Sequence, residues 1–255
     1  DGFHASTTPA SNVIPVTNAN GMIPIPFIPI YEYFRMTGFM YTDFLGPAGT
    51  ATLEVQLPFD TGLINSGTVL SGTSWPDHPG VLIIRSSTTA NSGAYVETQN
   101  NAFRLGGGEA FELLFTTRYA TGTTVRFGYL DTTTSDDAVD GVYFEISDTT
   151  VSGKSSNNST RSVTASTYTI DLIGWYRALI QINDNATQAN FYLYNSANNN
   201  LLWSDSVTSN IPTAPGRETG AGIVATCSGT AVNNLIYVDY MALWRLKSTG
   251  VGHTR

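Results

Sequence analysis

One cysteine, Cys227, stands in the whole chain, so it can form no intrachain disulfide and no thiol-ligated metal cluster. It sits in the apolar run GIVATC, where a small buried core residue is expected. Charge is scarce as well. Charged residues are 13% of the chain, and twelve basic against twenty acidic side chains leave a net charge of −8. A phosphate backbone is gripped by concentrated Lys and Arg, so nucleic acid is excluded as a partner. The same acidic excess argues against electrostatic attachment to an anionic membrane. No apolar run reaches membrane length and no secretory leader pattern is visible. Together with the missing disulfides, this leads to the expectation of assembly in a reducing cytoplasm. The first residue is Asp1, which reads as a processed or truncated terminus.

Windows rich in Ala, Glu, Lys and Leu, which build helices, are missing too. Thr, Ser, Asn and Gly dominate, with 13 Tyr and 12 Phe among the apolar residues. This composition suits half-buried pleated surfaces joined by many turns. From Tyr33 onward short apolar runs alternate with Gly/Asn/Ser/Thr/Asp clusters. They include FRMTGFMY, TATLEVQL, GVLIIRSS, FELLFTTR, TVRFGYLD, GVYFEIS, WYRALIQIN, ANFYLYN, NLLWSDSV, GAGIVATC and LIYVDYMALWRL. In VYFEIS, Val142, Phe144 and Ile146 share one face, opposite Tyr143 and Glu145. In YRALIQI, Tyr176, Ala178, Ile180 and Ile182 oppose Arg177, Leu179 and Gln181. The expected fold is all-β, an antiparallel two-sheet β-sandwich over residues 34–247, followed by a short tail over 248–255. No fixed-period repeat argues for a propeller or β-helix. KSSNNSTRSVTAST (Lys154–Thr167) reads as a polar loop or hairpin.

Residues 1–33 differ from the rest. Pro24, Pro26 and Pro29 lie between large apolar residues in MIPIPFIPIYEYF, and each removes an N–H donor. This segment is expected to be an extended arm, strapped across its own sheet or packed on a neighbouring subunit.

The stretch DTTTSDDAVDGVYFEIS, Asp131–Ser147, concentrates four aspartates and a glutamate. Three readings compete. Asp131, Asp136, Asp137 and Asp140 serve as turn-forming residues, or they gather a calcium ion, or one of them joins Glu145 as a catalytic carboxylate pair. Alternation leaves only Glu145 on the strand proper, which favours the turn. Glu145, Arg126 and Arg177 occupy outward positions, suited to cross-strand ion pairs or a polar binding face. Tyr192 and Tyr194 share a face in NFYLYN, and with Tyr143 they are candidate stacking surfaces for sugar rings. His4, His78 and His253 are scattered; His78, in the rigid SWPDHPG turn, is expected to be structural. LGGGE, spanning Gly106–Gly108, precedes no helix and reads as a bulge or hairpin.

The order of motifs DHPGVLIIRSST, LGGGEAFELLFTTR, RFGYLDTTTSDDAVDGVYFEIS, WYRALIQIND, NFYLYN and VDYMALW resembles a domain of bacteriophage tail and head-fibre proteins. The resemblance runs from Trp75 to Trp244. It implies a concanavalin A-like jelly roll, a non-enzymatic virion component, homotrimers, contacts with other virion proteins and recognition of a host cell-surface glycan. It implies no catalytic residue. A jelly-roll polysaccharide depolymerase is the alternative, although the Glu-x-Asp-x-x-Glu strand of β-glucanases and the Gln-Ile-His strand of lyases are both missing; Gln181-Ile182 is followed here by Asn183.

Overall fold

The computed structural model describes residues 4–6, 13–15, 36–42, 59–75, 78–119 and 121–246. Strands are numbered along the chain. The front sheet runs β12 (Thr160–Val163), β11 (Thr150–Asn157), β10 (Gly141–Ser147), β9 (Thr123–Leu130), β17 (Gly220–Cys227), β7 (Ser92–Glu97) and β4 (Asp60–Ile64), with β13 (Tyr168–Thr169) beside β11. The back sheet runs β16 (Leu201–Val207), β15 (Ala189–Asn195), β14 (Tyr176–Ile182), β8 (Glu109–Thr117), β18 (Asn234–Leu246), β6 (His78–Arg85) and β5 (Thr68–Trp75). The start of β18 pairs with β6, and its later part pairs with β3 (Met36–Thr42). All pairings within both sheets are antiparallel, and no helix is present among the described residues. A separate parallel pair joins β1 (His4–Ser6) and β2 (Val13–Pro15). The expected proline-rich run around Pro24–Pro29, and TATLEVQL, lie outside the described residues.

Period-2 alternation decides what the two sheets bury. Val142, Phe144 and Ile146 of β10 point inward, as do Tyr176, Ala178, Ile180 and Ile182 of β14. Aromatic rings then lock the layers together. Phe127 stacks on Phe144 at 5.1 Å and meets Phe115 of the other sheet at 5.2 Å, while Phe144 meets Phe191 edge-on at 5.2 Å. Each fully buried Phe contributes about 1.5–3 kcal/mol by removal from water, and each ring pair adds about 0.5–1.5 kcal/mol. Cys227 is fully buried in this core, as its apolar neighbours suggest.

Turns follow local chemistry. Asn158 and Ser159 both take positive φ, 52° and 62°, forming the two-residue link between β11 and β12. Positive φ at both central residues matches the twist of a hairpin, and Asn tolerates it well. The polar KSSNNSTRS segment is therefore this hairpin. The LGGGE segment closes on itself: Gly106 and Gly107 donate their N–H groups to the Glu109 carboxylate at 2.9 and 2.8 Å. Gly107 has a φ of 107° and lies against the Asp184 carbonyl, so no other residue fits there.

Candidate functional site

The ten-residue connection from β9 to β10 does not project into solvent. It folds down over the outer face of the front sheet, and its four aspartates each take a different set of partners. Asp131 Oδ1 accepts the Val139 N–H at 2.9 Å. Asp136 is exposed, and its backbone carbonyl accepts from Arg126 Nη1 at 3.2 Å. Asp140 accepts the Asn158 N–H at 2.7 Å through Oδ1 and pairs with Arg217 at 3.2 Å through Oδ2. Asp137 is the hub: it accepts the Tyr143 hydroxyl at 2.7 Å and pairs with Arg126 at 3.1 Å, Lys154 at 3.2 Å and Arg161 at 3.0 Å. Burial raises its pKa, yet the Tyr143 hydrogen bond and the charges of Arg126 and Lys154 outweigh that and hold the carboxyl below the ordinary aspartate value.

The β11–β12 hairpin pins the connection from the other side. Ser156 Oγ donates to the carbonyls of Ala138 and Val139, and Arg161 Nη2 donates to that of Ala138 at 2.9 Å. Ala138 thereby packs with Leu130, Val224 and Tyr143 in a small apolar cluster on the outer face. Two expectations need correcting here. Tyr143 is fully buried under the loop and offers no ring face to a ligand. The four aspartates do not converge, and no group of three or more His, Cys, Asp or Glu able to hold a metal exists among the described residues.

Glu145 is half-buried and clamped between two cations, Arg126 at 2.7 Å and Lys154 at 2.7 Å. Arg126 is its direct cross-strand neighbour. Arg177 is not part of this network. It lies on the outer face of the other sheet, so the expected ligand residues fall into two groups on opposite sides of the molecule.

That second group holds together. Arg177 on β14 faces Tyr194 on β15, with its guanidinium carbon 4.0 Å from the ring centroid. Arg177 Nη1 donates to Glu112 Oε2 at 2.8 Å and Nη2 to Asn199 Oδ1 at 2.7 Å. Tyr240 donates its hydroxyl proton to the other oxygen of Glu112 at 2.5 Å. Tyr192 and Tyr194 are half-buried, with centroids 6.4 Å apart and planes within 24° of parallel. Asn190 continues the same face of β15 and accepts from Gln188 Nε2 at 2.7 Å. A fixed arginine, a carboxylate, amides and two nearly parallel phenol rings thus share one sheet face.

Two features escaped the sequence reading. His78 Nδ1 lies 2.8 Å from Asp239 Oδ2, and its ring stacks on Trp175 at 3.9 Å. These residues are far apart in sequence, and no local spacing announces them. Glu97 ends β7 on the outer face of the front sheet, only 3% exposed, with Oε2 lacking any hydrogen-bond partner. Burial, then the charges of Asp131 and Asp60, push its pKa up to about 8. An outward Glu in SGAYVE looks ordinary in the sequence, and its burial is seen only in the fold.

The fold compares with known proteins as a lectin-like jelly-roll sandwich. A protein of unknown function, SO2946 from Shewanella oneidensis MR-1, superposes with a TM-score of 0.66 at 18% identity, over 84% of this chain and 89% of that one. Lectin I from Ulex europaeus, solved with the methyl glycoside of α-L-fucose, gives 0.52 at 8% identity, over 81% and 97%. The CBM2 module of the evolved Dit of Lactobacillus casei BL23 phage J-1 gives 0.52 at 13% identity, over 84% and 96%. Residues 77–239 match the family model described as SO2946-like, C-terminal domain. The chain belongs to that family. No curated protein sequence matches it.

Proposed function

We propose that this chain is a non-enzymatic glycan-binding module displayed on a bacteriophage virion, and that it contacts sugar through the outer face of the back sheet. The observation that carries the reading is the Tyr192–Tyr194 pair, 6.4 Å apart and flanked by Arg177. Aromatic faces take the C–H side of a pyranose, while the guanidinium, Glu112 and neighbouring amides meet its hydroxyls. The ion pair to Glu112 and the hydrogen bond to Asn199 hold Arg177 in place, so little side-chain entropy is lost when ligand arrives. Fold neighbours that include a lectin solved with a fucoside and a phage Dit module support the glycan and virion parts of the reading. A glycan array probed with the whole chain tests it; binding of a defined set of glycans is the expected outcome, and a blank array sinks the proposal.

One observation favours a second reading, a polysaccharide depolymerase. Glu97, with its pKa pushed up to about 8, stands beside Asp131 and Asp60. Glu97 and Asp60 face each other across β7 and β4, and a pair of carboxyl groups is what glycoside hydrolysis uses. Glu145 does not suit that role, since Arg126 and Lys154 clamp its carboxylate. A reducing-end assay on bacterial surface polysaccharide separates the readings: product formed by the native chain and lost in Glu97→Gln establishes the depolymerase.

A further inference from the structure

An open depression of about 580 Å³ lies at the end of the back sheet, away from β14 and β15, which carry Arg177 and the tyrosine pair. Pockets of roughly 300–1,000 Å³ take small organic ligands. Arg85 at the end of β6, Arg118 and Tyr119 just beyond β8, and Asn233, Asn234 and Tyr237 around the start of β18 line it. Two of the twelve basic residues of the chain meet here, and among the described residues neither Asp nor Glu lines the wall. A concave wall of one sign concentrates an oppositely charged ligand.

The wall is also held in place. Arg85 Nε donates to Asn234 Oδ1 at 2.6 Å, and Asn234 Nδ2 donates to the Tyr237 hydroxyl at 2.5 Å. The Arg118 guanidinium carbon lies 5.7 Å from the Tyr237 ring centroid. Arg85 thus leans on a neutral amide, which orients it without cancelling its charge. A guanidinium fork matches a planar carboxylate through two parallel hydrogen bonds. The amides suit hydroxyl groups, and the rings of Tyr119 and Tyr237 suit the apolar face of a pyranose.

We propose that this depression binds a uronic acid residue of an acidic glycan, with its carboxylate on Arg85. The inference extends the glycan reading to a second site, and the variants that report on the two sites do not overlap.

The test is calorimetric titration of the full chain with glucuronic and galacturonic acid, their methyl esters and inorganic phosphate. At least one free acid binds, and its ester binds at least tenfold more weakly. Arg85→Gln weakens the acid by a similar factor, Arg85→Lys by less, and Arg104→Gln, an exposed charge elsewhere, leaves it unchanged. If Arg85→Gln does not fold, the ester comparison and Arg85→Lys still decide. Equal binding of acid and ester, no binding of either acid, or undiminished binding by a folded Arg85→Gln overturns the proposal. Phosphate binding as tightly as the uronic acids marks an unselective anion pocket and overturns it too. Loss of neutral-glycan binding on the array, with uronic acid binding retained, defeats the tyrosine-face reading alone.

Discussion

The Tyr143 hydroxyl donates to the Asp137 carboxylate at 2.7 Å, across six residues of chain and from strand to covering loop. That bond closes the outer face of the front sheet. It turns a strand residue that alternation places outside into a buried one, and it fixes Asp137 where Arg126, Lys154 and Arg161 converge.

Asp137→Asn should therefore cost stability on the order of 2 kcal/mol, because three cations lose a shared counter-charge while Tyr143 keeps only a neutral acceptor. The native contribution has a pH signature. The folded-state pKa lies below the ordinary aspartate value of 3.8, so the contribution is present above that value and is lost as pH falls below it. Denaturant midpoints of both proteins, measured from neutral pH downward, should converge in acid. Parallel curves would show that Asp137 is not the hub.

Glu97 predicts the opposite slope. Its pKa rises on folding from 4.5 to about 8, so the folded state holds the proton more tightly. Stability from this group is full below 4.5 and declines as pH rises through the folded value. Glu97→Gln keeps the shape and removes the ionisation, so the variant should be more stable than the native chain at alkaline pH, by an amount on the order of 1–3 kcal/mol. Thermal melts across that range check it; a native decline that persists in Glu97→Gln would assign the effect elsewhere.

His78 joins two distant parts of the chain through Asp239 and Trp175. His78→Ala should cost about 1–3 kcal/mol, from one hydrogen bond and one stacked pair. In a double-mutant cycle with Trp175→Leu, a coupling of about 0.5–1.5 kcal/mol is expected. Additive effects would mean the stack contributes nothing.

Gly153 faces the core from β11, and a methyl group there would overlap the Phe191 ring. Phe191 is itself wedged edge-on against Phe144 and cannot withdraw. Gly153→Ala should lower stability by about 1–3 kcal/mol through overpacking. Calorimetric melting reads this directly.

The strands that carry the core were legible from alternation alone. Val142, Phe144 and Ile146, like Tyr176, Ala178, Ile180 and Ile182, face inward as their period of two requires, and Cys227 is buried with its apolar neighbours. Strands β4, β5 and β7 were not legible, because Gly, Ser and Thr interrupt the apolar alternation along them. The site was legible only in part. Tyr192, Tyr194 and Arg177 are one cross-strand step apart, so periodicity finds them. The burial of Tyr143, the isolation of Glu97 and the His78–Trp175 stack arise from contacts between distant segments, which no local pattern encodes. The aspartates of DTTTSDDAVDG sit in the turn before β10, and the cations they meet come from β9, β11, β12 and the segment before β17, which no local spacing reveals.

The most direct test of the glycan-binding account is the affinity of the native chain and of Tyr192→Ala, Tyr194→Ala for a glycan that the array selects. Both rings are half-exposed, so the double variant should keep its melting temperature within a few degrees while binding falls at least tenfold, about 1.4 kcal/mol. Undiminished binding in a folded double variant would contradict the account.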